Sequence, residues 1–315
     1  MVITGAGSWP IVTVAYMFPN AKNVLYGLRG EVDCPLFRMV DPSIESKIVP
    51  TTSATPNVEE IVAMNPDVVI LKSTMKLTIG DSLEELGIKV VYVDFENLNS
   101  YIRDLRVLGK VFRNDDIAEK IVKHYNETYN TVLSKSSIIK ERRKVLFLYY
   151  STKGGTVSFQ VPGEGWLQTF MIEAAGGYAL SRELAETGWN TVSFEQIARW
   201  NPDIIFLVTY SDSPSAVDAK NVLLRSPEWM KINAVMNGEV YAVPHDCGNI
   251  GALGSWDCPG SRWALGLEWM ARKINPYLYS DLDIIIDAKN FYMKMYGLEE
   301  KDALIIVNGI SGDLI

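Results

Sequence analysis

Two side chains of this sequence, His245 and Met75, are of the types that ligate a transition metal. Neutral imidazole binds iron and other transition metals, and a methionine thioether is a soft axial ligand for haem iron. His245 follows the strand-like run VYAVP, and Met75 lies in LKSTMK after another such run. Together they would form a His/Met haem clamp. The alternatives are that His245 lines a site or bonds a carbonyl, and that Met75 packs in a loop.

Aromatic and cationic side chains form a second set suited to binding. Aromatic rings stack on flat chelates, and lysine or arginine neutralises an anionic ligand. Several of them follow the strand-like runs VLFLYY and IIFLV, at the strand ends where an α/β fold binds ligands. The alternative for each is an ordinary place in the core or on the surface. The candidates are Tyr149, Tyr150, Lys153, Trp166, Tyr210, Trp256 and Arg262.

The segment ITGAGSWP follows the first strand-like run and has two of the three glycines of a dinucleotide-binding turn. The fingerprint requires G-x-G-x-x-G, and Pro10 replaces the third glycine. We therefore expect a strand-to-helix loop that presents Ser8 and Trp9 to a ligand. Lys76, in the loop after a later strand-like run, is a further candidate for ligand binding.

A repeat within the chain carries two more candidates. PNVEEIVAMNPDVVIL at residues 56–71 aligns with VSFEQIARWNPDIIFL at residues 192–207, an offset of 136, the difference between 192 and 56. Each copy predicts a helix that ends at Asn-Pro and a short buried strand. Glu59 and Glu195 occupy equivalent places in the first helical turn, where an acid stabilises the helix dipole. The repeat therefore predicts two lobes of the same plan.

The composition of the 315-residue chain, with 48% hydrophobic and 22% charged residues, is that of a globular protein with a core. At roughly 150 residues a domain, the length predicts two domains. The net charge of −8 disfavours phosphate backbones, so we expect no nucleic-acid partner. No apolar run approaches the ~20 residues of a bilayer span. We also expect that any export signal is absent from this sequence.

Strand-like and helical runs alternate on both sides of a stretch without strands. Residues 98–144 contain no proline and predict two helices that break near residues 114–115. Before and after them, short buried runs alternate with amphipathic helices, which is typical of α/β lobes with parallel sheets. We therefore predict an N-terminal α/β lobe at 1–113, a linking helix at 114–142, and a C-terminal α/β lobe with a terminal helix at 143–315.

The sequence nominates no catalytic set. It has no G-x-S-x-G or H-E-x-x-H motif, and its two histidines are too few for a di-metal hydrolase. Cys247 and Cys258 lack C-x-x-C spacing, which disfavours a structural zinc and leaves a disulfide between them open. We expect neither enzymatic activity nor an intrinsic cofactor.

Six segments in order resemble the iron-complex and cobalamin class of ABC-transporter substrate-binding proteins. They are the two repeat copies, GEVYAVP, PGSRWALGLEWMA, NPYLYSDLDI and FYMKMYG, and they cover nearly the whole chain. The resemblance implies two α/β lobes joined by a single long helix, with a metal chelate held between them. It also implies an extracytoplasmic protein, often a lipoprotein, whose partners are a permease and its ATPase.

The resemblance gives the repeated glutamates a second role. It implies that Glu59 and Glu195 project from the lobe tips and pair with arginines of the permease. The expected ligand is an iron complex, either a siderophore or haem, and cobalamin is the alternative. The rival class is a metal-cluster oxidoreductase on a similar plan, which usually needs four cysteine ligands where this chain has three cysteines. We expect a monomer that meets the membrane only through its permease or a lipid anchor.

Overall fold

The computed structural model describes residues 2–4, 9–48, 57–184, 188–248 and 251–314. The chain divides into two compact units. The first comprises Met1–His124, Pro259–Ser261 and Lys289–Ile306. The second comprises Tyr125–Cys258, Arg262–Ala288 and Val307–Ile315. Two late segments thus belong to the first unit, whereas the sequence predicts a C-terminal lobe that takes in everything after residue 142.

Hydrogen bonds explain why the late segments belong to the first unit. The Tyr296 hydroxyl donates to the carbonyl of Thr13 at 2.9 Å. The backbone N–H of Ser261 donates to Oγ1 of the same threonine at 3.1 Å. The Tyr101 hydroxyl donates to the carbonyl of Gly260 at 2.9 Å. Such long-range bonds leave no trace in local apolar periodicity, on which the expected boundaries rested.

The first unit is built on a parallel four-stranded sheet in the order β2-β1-β3-β4. Its strands are β1 Val2–Thr4, β2 Leu25–Tyr26, β3 Val68–Lys72 and β4 Val90–Val93. Its helices up to the middle of the chain are α1 Trp9–Ala15, α2 Ala21–Val24, α3 Pro35–Val40, α4 Val58–Ala63, α5 Asp81–Glu85 and α6 Leu98–Val111.

The long helix α7, Asp115–Ser136, has residues in both units, because the division falls between His124 and Tyr125. It follows α6 after a turn in which Arg113 has a positive φ of 53°. The predicted break near residues 114–115 is therefore confirmed. None of the described helices combines the length and apolarity needed to cross a bilayer.

The second unit has a six-stranded sheet in the order β10-β9-β5-β6-β8, with β7 also paired to β5. Strands β5, β7, β9 and β10 are parallel, as predicted, whereas β6 runs antiparallel to both β5 and β8. The strands are β5 Lys144–Ser151, β6 Ser158–Pro162, β7 Tyr178–Ala179, β8 Trp189–Val192, β9 Ile204–Val208 and β10 Val240–Ala242.

Five helices accompany this sheet, and two more end the chain. The first five are α8 Leu167–Ala174, α9 Phe194–Trp200, α10 Ala216–Arg225, α11 Asn233–Met236 and α12 Trp263–Ile274. The last two are α13 Ile284–Tyr296 and α14 Glu300–Asn308. The predicted terminal helix, in the segment DAKNFYMKMYG, corresponds to α13, whereas the sequence did not predict α14 after it.

The repeat is reproduced in the structure at the same offset. Strand β9 begins 136 residues after β3, at 204 against 68, and α9 begins 136 residues after α4, at 194 against 58. The parallel strand order β2-β1-β3-β4 of the first unit has its counterpart in β7-β5-β9-β10 of the second. The prediction of one plan used twice is therefore confirmed, with β6 and β8 as an addition to the second copy.

Each copy carries its own signals for starting and stopping the helix. Asn57 Oδ1 accepts from the N–H of Glu59 at 2.9 Å, and Ser193 Oγ accepts from the N–H of Gln196 at 3.2 Å. Each side chain satisfies an N–H that the helix itself leaves unpaired. At the other end, Asn65 and Asn201 adopt left-handed φ angles of 47° and 46°. Asparagine tolerates this conformation better than most residues, and it ends a helix.

Candidate functional site

A small pocket lies where β9 and β10 of the second unit end. Its volume is about 50 Å³, and polar groups from the segments after both strands line it. The polar lining residues are Thr209, Tyr210, Ser211, Ser215, His245, Ser255 and Ser311. This carboxyl-edge pocket is where parallel α/β sheets bind their ligands.

Both ring nitrogens of His245 are held by the backbone. Nδ1 accepts from the N–H of Cys247 at 3.3 Å, and Nε2 lies 3.1 Å from the carbonyl of Gly251. Burial lowers the pKa of His245, which favours the neutral ring. A neutral imidazole with Nδ1 as acceptor and Nε2–H as donor has no lone pair left for a metal. The expected metal ligation would require breaking one of these bonds, so the geometry fits the alternative of a histidine that bonds a carbonyl.

The buried carboxylate of Asp257 accepts hydrogen bonds from several side chains, including that of Tyr210. The Tyr210 hydroxyl donates to Oδ2 at 2.5 Å, and Gln168 Nε2 donates to the same oxygen at 2.9 Å. Ser255 Oγ donates to Oδ1 at 2.5 Å. Asp257 has no exposed surface. Burial and the Asp257 charge raise the pKa of Tyr210, so this tyrosine is a neutral donor with a fixed orientation.

Four aromatic rings pack together beside this network, and we call them the aromatic cluster: Tyr149, Trp166, Trp189 and Tyr210. Trp189 is central, with ring centroids 5.4 Å from Tyr149, 5.4 Å from Trp166 and 6.0 Å from Tyr210. Trp166, Trp189 and Tyr210 each keep part of their surface exposed. The cluster therefore presents an aromatic surface on which a flat ligand can stack.

Trp189 was not among the residues predicted from the sequence. It lies in β8, opposite Pro162 of β6. It therefore reaches the cluster through the antiparallel addition to the sheet. The β-branched Thr191 and Val192 are the signal in the sequence that could have indicated this strand.

Three of the predicted ligand-binding residues are core residues instead. Trp256 is 0% exposed and Tyr150 is 7% exposed. Tyr150 packs against Phe159 in the hydrophobic core of the second unit. Arg262 is 1% exposed, and its Nε donates to Asp246 Oδ2 at 2.8 Å. The burial of all three is inconsistent with the ligand contact expected of them.

The close packing of helix α12 explains why the segment before it is buried. Gly266 lies so near the backbone of Trp256 that an added Cβ would be 2.1 Å from the Trp256 carbonyl oxygen. Helix α12 therefore sits directly on this segment. The segment that contains the two candidates Trp256 and Arg262 is thus packed in the core of the second unit.

Two predicted residues of the first unit also have structural contacts. Met75 is half-buried and packs against the core cluster that contains Ile61 and Leu83. Lys76 Nζ lies 2.6 Å from Asp81 and 3.1 Å from Glu84, and these hydrogen bonds raise its pKa. Two carboxylates already balance the charge of Lys76, which makes it a weak partner for an anionic ligand.

The other predicted residues occupy open positions or lie outside the description. Lys153 is exposed in the turn between β5 and β6. Ser8 lies outside the described residues, and only the backbone of Trp9, the first residue of α1, is described. Glu59 and Glu195 are both exposed in the first turns of α4 and α9. Hydrogen bonds from its own backbone N–H and from Ser193 lower the pKa of Glu195, so it is an anion at neutral pH.

The cysteine pairing that the sequence left open is not realised. Cys258 is a buried thiol, with its Sγ 3.7 Å from Asp257 Oδ2. It therefore forms no disulfide with Cys247. Among the described residues, no group of three or more His, Cys, Asp and Glu side chains is arranged to hold a metal ion.

Comparison with known proteins identifies the family. Residues 34–247, more than half of the chain, match the family described as periplasmic binding protein. The chain belongs to the periplasmic binding protein family. The resemblance seen in the sequence is thereby confirmed at the level of family and fold.

Several curated relatives align with this periplasmic binding protein over most of its length. The molybdate-binding protein MolA of Haemophilus influenzae is 21% identical over 276 residues, which are 81% of this chain and 74% of MolA. YvrC of Bacillus subtilis, an uncharacterized ABC transporter substrate-binding lipoprotein, is 24% identical over 85% of this chain and 81% of YvrC. The high-affinity heme uptake protein IsdE of Staphylococcus aureus is 24% identical over 59% of this chain and 62% of IsdE.

Solved structures show the same fold. A periplasmic solute binding protein from Veillonella parvula superposes with a TM-score of 0.77 at 24% identity, over 98% of this chain and 91% of that one. CeuE of Helicobacter pylori, solved as a nickel–histidine complex, has a TM-score of 0.73 at 18% identity, over 96% and 91% of the two chains. These likenesses establish the architecture, while the ligands named for the relatives differ from one to the next.

Proposed function

We propose that this periplasmic binding protein captures a metal chelate outside the cytoplasm and delivers it to the permease and ATPase of an ABC importer. The aromatic cluster at the carboxyl edge of the second unit is the observation that carries the proposal. The faces of Trp166, Trp189 and Tyr210 suit a flat or ring-rich ligand. The lipoprotein description of the relative YvrC supports a place outside the cytoplasm.

The ion pairs of two cations that the sequence nominated for ligand binding favour a chelate over a small oxyanion. Arg262 is buried in an ion pair with Asp246, and Asp81 and Glu84 neutralise Lys76. A molybdate-like ligand needs unsatisfied donors and positive charge, whereas a siderophore complex, haem or a corrinoid gains affinity by stacking. Among these, an iron complex is our first candidate and cobalamin the alternative. The relative IsdE, named for heme uptake, supports this order.

The ligand is identified by native mass spectrometry and an absorption spectrum of protein purified from its own host. A bound mass with a Soret band indicates haem, a corrin spectrum indicates cobalamin, and a broad charge-transfer band indicates a ferric siderophore. The same mass spectrum tests the expectation that the protein is a monomer. Binding of molybdate in preference to all three chelates would refute the proposed ligand class.

We further propose that Glu59 and Glu195 dock the protein onto its permease. Both are exposed, and they stand at equivalent steps of the two repeats. Paired acids at the two units suit paired cations on a partner. The double variant Glu59→Ala/Glu195→Ala should abolish uptake and leave the dissociation constant for the ligand unchanged.

A matched control replaces two other exposed glutamates, one in each unit. Glu85→Ala/Glu228→Ala removes the same charge from α5 and from the segment after α10. Uptake by this control should remain at the wild-type level. Equal loss of uptake in both double variants would show that general surface charge, and not the repeated pair, drives docking.

A further inference from the structure

A second and larger pocket lies in the second unit and shares no lining residue with the carboxyl-edge pocket. It has a volume of about 570 Å³, between β10, the end of α12 and the start of α13. This size is within the range of small-molecule sites. We call it the α12–α13 pocket. Its apolar lining residues are Pro276, Leu282, Ile284, Ile285 and Leu314.

On one side of the α12–α13 pocket, a lysine ammonium lies over an aromatic ring. Lys273 Nζ lies 4.7 Å from the ring centroid of Tyr241, which in turn packs edge-on against Trp269 at 6.5 Å. Lys273 is half-buried, and its burial lowers its pKa. An ammonium withdrawn from water in this way gains more from a bound anion than an exposed lysine does.

Two acidic residues that line the pocket have a partner for each of their carboxylate oxygens. Glu239 accepts from the Tyr241 hydroxyl at 2.7 Å through Oε2 and pairs with Arg143 at 3.3 Å through Oε1. Asp281 binds Lys135 Nζ through Oδ1 at 2.6 Å and through Oδ2 at 2.7 Å. Their negative charge is therefore balanced by cations that do not line the pocket.

Asp283, which also lines the pocket, and Asp313 likewise accept hydrogen bonds from other groups. Asp283 Oδ1 accepts from the N–H groups of Ile285 and Ile286, both at 3.1 Å, and so caps α13. Asp313 Oδ2 binds Lys220 Nζ at 2.7 Å and accepts from the N–H of Ala242 at 2.6 Å. The Asp313 charge acts on Lys273 and only partly offsets the effect of burial on the pKa of this lysine.

The two cations that line the α12–α13 pocket form no such ion pair in the described part of the chain. Arg272 uses Nη1 to donate to the carbonyl of Pro276, a neutral acceptor. Within the described part of the chain, no carboxylate lies within 4.0 Å of Arg272 or Lys273. The pocket thus combines two cations without an ion-pair partner, an aromatic side and an aliphatic wall.

We propose that the α12–α13 pocket is a second ligand site that binds an amphipathic anion. The anionic head lies against Lys273 and Arg272, and the apolar body covers Tyr241 and the aliphatic residues of α13. This site shares no lining residue with the carboxyl-edge pocket or the aromatic cluster. A free carboxylate with an alkyl chain and an anionic lipid headgroup share this chemistry.

Isothermal titration calorimetry with sodium octanoate tests the site on the intact chain. Octanoate should bind one equivalent, and octyltrimethylammonium, which has an alkyl chain one carbon longer and the opposite charge, should bind at least tenfold more weakly. Lys273→Gln should weaken octanoate binding at least tenfold, and Lys273→Arg should restore it to within about threefold. Lys110→Gln, at an exposed site of the first unit, is the matched control and should leave binding unchanged.

Flotation with phosphatidylglycerol vesicles distinguishes the two sources of the anion. Capture of the wild type but not of Lys273→Gln assigns a lipid headgroup, and octanoate binding without capture assigns a free carboxylate. The proposal is overturned if neither probe binds, if Lys273→Gln binds both as well as the wild type does, or if the cationic amphiphile binds equally well. Chelate binding by Lys273→Gln, measured in parallel, tests the proposed function separately and should be unchanged.

Discussion

The Arg262 guanidinium and the Asp246 carboxylate form an ion pair of 2.8 Å whose side chains are 1% and 0% exposed. Neither charge has access to water, so each depends on the other. Removing one partner of such a pair costs about 3–5 kcal/mol, because the remaining charge stays buried. We expect Arg262→Ala to lower the free energy of unfolding by this amount in urea titrations.

A surface pair provides the control for this prediction. Lys110 and Asp115 are 2.5 Å apart, with side chains 75% and 57% exposed. Lys110→Ala should change the free energy of unfolding by less than about 1 kcal/mol. An Arg262→Ala protein of wild-type stability that has lost its ligand would restore the role the sequence suggested for this arginine.

Trp189 is the centre of the aromatic cluster, so its removal should weaken chelate binding. An aromatic contact contributes about 1 kcal/mol beyond burial, which is roughly a fivefold change in dissociation constant. Trp189→Leu should show at least this loss in a fluorescence or calorimetric titration. Trp200→Leu, a change of the same type in the partly buried last residue of α9, should leave the affinity unchanged. Equal affinity in both variants would remove the cluster from the binding site.

Asn65 and Asn201, whose left-handed φ angles end the two repeat helices, should differ in how much stability they lose when replaced by glycine. Asn65→Ala should cost about 1–2 kcal/mol of stability, whereas Asn65→Gly should cost much less, because glycine adopts a positive φ freely. At the equivalent position, Asn201 Oδ1 also accepts from the N–H of Asn233 at 2.9 Å. Asn201→Gly should therefore lose about 1 kcal/mol. Chemical denaturation of the three variants measures both effects, and an equal cost for alanine and glycine at residue 65 would contradict the first of them.

Glu268 predicts a dependence of stability on pH. Desolvation, assisted by the nearby Asp287 charge, raises its pKa from 4.5 to about 8. The folded protein therefore holds a proton that the unfolded chain releases above pH 4.5. This contribution to stability is complete below that pH and is lost as pH rises through about 8.

Thermal denaturation of Glu268→Gln between pH 5 and pH 9 measures this contribution. Over this range the free energy of unfolding of the wild type should fall by more than about 1 kcal/mol relative to that of the variant. The reason is that each unit of difference between folded and unfolded pKa contributes about 1.4 kcal/mol. Parallel pH profiles of the two proteins would show that Glu268 titrates normally.

Local signals in the sequence predicted the repeated parts of the fold well. The caps Asn57 and Ser193 and the Asn-Pro stops at 65 and 201 are encoded within a few residues of the helices that they bound. The site was predicted less well. Arg262 is buried because it forms an ion pair with Asp246, and Trp189 joins the aromatic cluster through the antiparallel pairing of its strand. Such partners depend on tertiary packing, so residue type and position after a strand could not reveal them.

The helix and strand that occur twice in the chain are specified locally in each copy, so the two copies differ mainly in their surroundings. Because each copy brings its own cap, its own left-handed asparagine and a five-residue strand, its local geometry is specified from within. What differs between the copies is the set of neighbours, and the second copy alone shares its sheet with β6 and β8. Trp189 thus lies in the antiparallel addition to the sheet and not in the strands that the two copies share.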